Sequence, residues 1–135
     1  MICDPSRSIY AACAAALLLG ASGPGASTSG AELAQELKRV PYRIVFESYQ
    51  DQNWDLFAMR ADGSERVNLT RTPDLNELCP HVSADGKRLL FVVDKGEGEQ
   101  RVRSVWCMNV DGTGRQLVAA AGREPCWCAG DQAIA

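Results

Sequence analysis

The sequence predicts an all-β chain of antiparallel strands, and three observations carry that expectation. Short runs rich in β-branched and aromatic residues alternate with turn residues along 42–135. Asp62-Gly63, Asp85-Gly86 and Asp111-Gly112 mark tight turns, because Asp-Gly tolerates the positive φ angles of a two-residue hairpin. The pattern also repeats. Pro80 recurs as Pro125 and Phe46 anticipates Phe91, each pair 45 residues apart; Asp62-Gly63 recurs as Asp111-Gly112 at a separation of 49. Short strands repeating at about this interval are the signature of a propeller blade.

Residues 1–30 differ from the rest. Arg7 precedes a short apolar run, Ile9 to Leu19, and small residues follow from Gly20 to Ser27. The run is too short for a bilayer, which needs about 20 residues. A charged start, an apolar centre and a small-residue region together predict a secretory signal, with cleavage after Gly23 or after Ala31. The alternative is a disordered N-terminus. Most of the apolar run follows Cys13, which sets aside a lipoprotein cysteine. Residues 31–41 are a linker: Ala31 to Arg39 holds helix formers for at most two turns, and Pro41 ends them.

Residues 42–135 carry the strands. Tyr42–Ser48 is the first, Tyr49–Asn53 a polar loop, Trp54–Arg60 the second strand and Arg66–Thr70 the third. Arg71–Glu77 is a connecting loop. Four strands follow: Pro80–Ser83, Lys87–Val93, Val102–Val110 and Arg115–Val118, with a loop at Lys95–Gln100. Pro125–Cys128 and Ala133–Ala135 begin another unit. The expected architecture is one complete four-stranded blade flanked by two incomplete ones.

At this point the motifs resemble a known family. Ile44-Val45-Phe46, Trp54-Asp55-Leu56-Phe57-Ala58-Met59, Asp62-Gly63-Ser64, Leu69-Thr70 and Pro80-His81-Val82-Ser83-Ala84-Asp85-Gly86-Lys87-Arg88-Leu89-Leu90-Phe91 look like the WD40-like repeats of TolB-type β-propellers. Ala84 stands where that family usually has Pro, and Ala129-Gly130-Asp131-Gln132 degrades the last Asp-Gly turn. The resemblance implies fold and not task, since propellers host unrelated activities. The expected roles are structural: Ser83 and Asp85 bond turn amides, and Phe46, Trp54, Phe91, Trp106 and Trp127 fill the layers between blades. Complete rings need roughly four to eight blades. The chain is therefore expected to be a truncated propeller, to complete a ring by self-association, or to form a small open sheet.

The 135 residues are 46% apolar and 23% charged with a net charge of −3, a soluble globular balance. Scattered arginines and this charge exclude a nucleic-acid surface, and they are expected at solvated strand and turn positions. Cys79, Cys107, Cys126 and Cys128 would follow the signal into an oxidising compartment. They are expected as buried free thiols, with a disulfide as one alternative. A tetrahedral Zn²⁺ on Cys79, His81, Cys126 and Cys128 is another, if each pair shares a strand face. Asp51–Asp55 starts like a calcium loop, but Leu56 and Asp62 stand where Gly and Glu are needed. No catalytic residue is assigned. His81 is the only histidine, and Ser83, His81 and Asp85 are too close on one strand to act as a triad. Gly96-Glu97-Gly98-Glu99 lacks the Lys of a phosphate loop.

The expectation is an exported, periplasmic or secreted, non-catalytic binding or scaffold protein without cofactor, metal, nucleic acid or stable membrane span. Its partner would be a protein, or a second copy met through open strand edges; loops 94–101 and 71–79 are the other candidate surfaces. Two alternatives stand beside it. One is the propeller remnant of a larger hydrolase of the prolyl oligopeptidase class; the other is a self-assembling structural protein.

Overall fold

The computed structural model describes residues 29–128 and 130–134, with backbone alone at 133 and 134. The signal expected over 1–30 lies outside the described residues, save Ser29 and Gly30. Helix α1 spans Gly30–Arg39. It is longer than the two turns expected, because Ser29 and Glu32 form a reciprocal capping box at its start. No residue of α1 is buried. No helix among the described residues is long and apolar enough to cross a membrane.

Among the described residues nine strands follow, all paired antiparallel, in three sheets. β1 (Arg43–Gln50), β2 (Asn53–Arg60) and β3 (Val67–Asn68) form the first sheet in that order. β4 (Asn76–Val82), β5 (Arg88–Lys95), β6 (Val102–Asn109) and β7 (Gln116–Ala119) form the second. β8 (Cys126–Trp127) and β9 (Ala133–Ile134) form the third. The all-β, antiparallel expectation holds.

The second sheet lies between the other two. Strand alternation gives it two apolar faces. Leu89, Phe91, Val93 and Met108 pack with Leu56 of the first sheet, flanked by Val45, Leu69, Leu75 and Trp106. On the opposite face Leu90, Val105 and Cys107 pack with Ala119 and with Trp127 of the third sheet. The third sheet is also tied by polar contacts. Trp127 Nε1 donates to the His81 carbonyl at 2.8 Å, and Ala84 N–H donates to Asp131 Oδ1 at 3.0 Å.

Three loops and strands differ from the expectation. Residues 49–53 are not a loop: β1 and β2 meet at a two-residue turn, with φ of 48° at Asp51 and 69° at Gln52. Positive φ at both positions matches the twist of paired strands. The connection between β5 and β6 runs Gly96–Arg101 and contains a 3₁₀ turn at Gly98–Gln100. It is four residues longer than the Asp51-Gln52 turn, which is why the repeat drifts from 45 to 49 along the chain. The segment 71–77 ends early, because β4 begins at Asn76 rather than at Pro80. β4 also carries an extra residue between Leu78 and His81, with Cys79 at φ 53° and Pro80 next to it. Pro cannot donate to the ladder, so the bulge accommodates it.

The aromatic layers are partly as expected. Phe91 and Trp106 lie between the first and second sheets, and Trp127 between the second and third. Phe46 does not. Val45 and Leu56 face the second sheet, so alternation turns Phe46 and its cross-strand partner Phe57 to the far face. Trp54 is 37% exposed beside Tyr49, near the start of β2, where its N–H donates to Asn76 Oδ1 of β4 at 3.0 Å.

Candidate functional site

The residues singled out for chemistry are held in turns and cores. Ser83 is buried; its hydroxyl donates to Asp85 Oδ1 at 2.7 Å and accepts the Arg88 N–H at 2.9 Å. Asp85 also accepts the Lys87 N–H, and these bonds hold its carboxyl below the usual range. This is turn closure, as the sequence suggested. No hydrogen bond joins His81 to Ser83 or Asp85 among the described residues. Burial pushes the His81 imidazole below its ordinary pKa, which favours the neutral ring.

The cysteine expectations meet the β4 bulge. It breaks the alternation that would have put Cys79 and His81 on one face. Cys79 is exposed rather than buried, and its N–H donates to Glu47 Oε2 at 2.6 Å. Its thiol pKa is raised, first by partial desolvation and then by the Glu47 and Glu124 carboxylates; Arg103 opposes them. Cys107 is buried, and desolvation raises its pKa too. Among the described residues, no group of three or more His, Cys, Asp or Glu is arranged to hold a metal. Asp51 sits in the turn, while Asp55 is buried and accepts from Asn68 Nδ2 at 2.7 Å and Thr70 Oγ1 at 2.9 Å. These carboxylates do not converge on a common point.

Several arginines are not the solvated residues expected. Arg115 lies over Phe91 and Trp106 and donates to Glu77 Oε1 at 2.9 Å. Glu77 is fully buried, which also removes it from the expected 71–79 surface. Thr72 Oγ1 donates to the same oxygen, and Oε2 has no partner among the described residues. Desolvation dominates and raises the Glu77 pKa, against the hydrogen bonds from Thr72 and Arg115. Asp94, 2% exposed at the end of β5, accepts from Arg101 and from Arg103 Nε at 2.9 Å. The Arg101 hydrogen bond is the main cause of its lowered pKa. Asp94 and Lys95 thus leave the expected 94–101 loop and belong to β5. Beside them lies an open cleft of about 350 Å³ lined by Gly98, Arg101, Arg103 and Arg123.

The first sheet's outer side carries an edge strand and an aromatic pair, Phe46 half-buried and Phe57 buried. β1 is an edge strand of eight residues. Among the described residues its backbone hydrogen bonds run to β2 and to no other segment. Phe46 and Phe57 stack at 5.9 Å, and the Arg66 guanidinium covers them at 5.4 and 4.3 Å. Arg66 Nη2 donates to Ser48 Oγ at 3.1 Å. The loop and cysteine arguments did not find this site. The signal was present: Arg66 and Arg115 stand 49 apart, the same interval as the two Asp-Gly turns. No family model, curated protein or solved structure matches the chain.

Proposed function

We propose that this chain is an exported, non-catalytic binding or scaffold protein of propeller type, akin to TolB-like repeats, that acts through its strand edges. The observation that carries this reading is the run of three, four and two antiparallel strands in chain order, with the middle sheet packed on both faces. Propeller blades are antiparallel sheets of about four strands that stack face to face in chain order, and this run is of that kind. Supporting it, two buried carboxylates, Glu77 and Asp94, are held in ion pairs with arginines.

Size-exclusion chromatography with light scattering on the full chain, with and without reductant, tests this reading. A discrete monomer or small oligomer that melts in one cooperative step is the expected outcome. A polydisperse aggregate without a melting transition would sink it, because a scaffold must hold its edges in fixed register. Loss of the discrete species under reductant would assign the assembly to disulfides instead of sheet edges.

A further inference from the structure

The second sheet shows what the first sheet lacks. β1 corresponds to β5, and β2 to β6: Phe46 matches Phe91, Phe57 matches Trp106 and Arg66 matches Arg115. β5, however, is paired on both sides, by β4 and β6, whereas among the described residues β1 is paired by β2 alone. In the second sheet Glu77 of β4 stands opposite Val93 of β5, and Arg115 donates to it. The residue of β1 that matches Val93 is Ser48. Ser48 Oγ is the group that Arg66 now contacts. The arginine and the aromatic pair are repeated, but among the described residues no counterpart of the acid-bearing β4 pairs with β1.

We propose that the free edge of β1 is a docking site for an extended strand of another protein, one that carries a carboxylate opposite Ser48. The backbone of β1 supplies the ladder, and Arg66 supplies the charge that sets the register. The Arg66 fork is already oriented over Phe46 and Phe57, so little of its freedom is lost on pairing. The edge is not occupied by the chain's own second sheet. Cys79 reaches β1 through the Glu47 carboxylate and not through its backbone. This site rests on the reading of the chain as a binding protein and names the chemistry of the partner.

The probe is a fluorescein-labelled peptide copying residues 74–83, the segment that fills the matching place beside β5, with Cys79→Ser to remove the thiol. It is titrated by anisotropy against the full chain. Saturable one-to-one binding is expected. Glu77→Gln in the peptide weakens it about tenfold, the loss of one charge-assisted hydrogen bond. Arg66→Met in the protein has a similar effect, and Ser48→Asp, which gives Arg66 an internal partner, does so by a second route. Thermal melts establish that each variant is folded. No saturable binding, or equal binding of the Glu and Gln peptides, would overturn the proposal. So would a dimer of the chain that Arg66→Met dissociates, which assigns the edge to a second copy. A discrete, cooperatively melting chain that ignores the peptide leaves the binding-protein reading standing and removes this site alone.

Discussion

Glu77 and Asp94 show how much a single carboxylate depends on what surrounds it. Both are sealed from solvent and both meet arginine, yet their ionisation shifts in opposite directions. Burial wins at Glu77, whose Oε2 has no described partner; the arginine bonds win at Asp94. The two therefore impose opposite pH slopes. A carboxylate with a raised folded pKa stabilises fully below its unfolded value, near 4.5 for Glu77, and loses that contribution as pH rises through the folded value. A lowered one, as at Asp94, contributes above its unfolded value, near 3.8, and loses it as pH falls through the folded value. Denaturant unfolding across about pH 3 to 8 should show this. Glu77→Gln removes the decline on the neutral side, and Asp94→Asn removes the decline on the acid side. Superimposable profiles would refute both assignments. At one pH, Glu77→Ala should cost about 3 kcal/mol, because Arg115 is left without its acid; the double change Glu77→Leu with Arg115→Met should recover most of it. Two turn glycines give a second residue-scale contrast. Gly63 and Gly112 hold φ of 82° and 89°, but only at Gly112 would a Cβ meet the Leu69 carbonyl oxygen, at 2.7 Å. Gly63→Ala should cost about 1 kcal/mol through strain, and Gly112→Ala at least about 1 kcal/mol more through the clash. Equal melting shifts would argue against that contact.

At the scale of elements, the turns written in local chemistry were legible and those imposed from a distance were not. Asp62-Gly63 closes with Asp62 accepting from Ser64, and Asp111-Gly112 closes with Asp111 accepting from Thr113. Everything such a turn needs lies within a few residues. Asp51-Gln52 has no glycine, and its positive φ values follow from the full-length pairing of β1 with β2. The start of β4 is likewise set from a distance. A strand start at Asn76 buries Glu77, which local patterning forbids until Arg115 and Thr72 reach it. Phe46 is expected in a layer between blades as a large aromatic, but its aromatic character does not say which face of its strand is covered. Which face is covered depends on a neighbouring sheet. The open edge was legible from the strand count, and the 49-residue spacing of Arg66 and Arg115 marked its cation; that Ser48 stands beside that cation follows from the fold and not from local residues. Disruption at this scale should be graded. A proline at Val92, inside the doubly paired β5, should abolish folding, whereas Val118→Pro in the edge strand β7 should lower the melting temperature by several degrees only. Equal effects would mean that the second sheet is not the organising element.

For the whole molecule, stability runs inward toward the second sheet. β5 and β6 supply most of both core clusters, while β8 and β9 contribute Trp127 and a short ladder. Amide exchange should follow: slowest in β5 and β6, faster in β1, fastest in β8 and β9. Uniform protection across the sheets would contradict this gradient. The same arrangement sets a schedule during synthesis. The last strand of the first sheet ends at Asn68, yet the face holding Val45 and Leu56 is covered by residues as late as Met108. Met108 follows Leu69 by 39 residues. At about 5 to 20 residues per second the nascent first sheet waits roughly two to eight seconds with that face wet. That interval is when the apolar face is open to wrong partners, and a slower codon between 70 and 108 lengthens it.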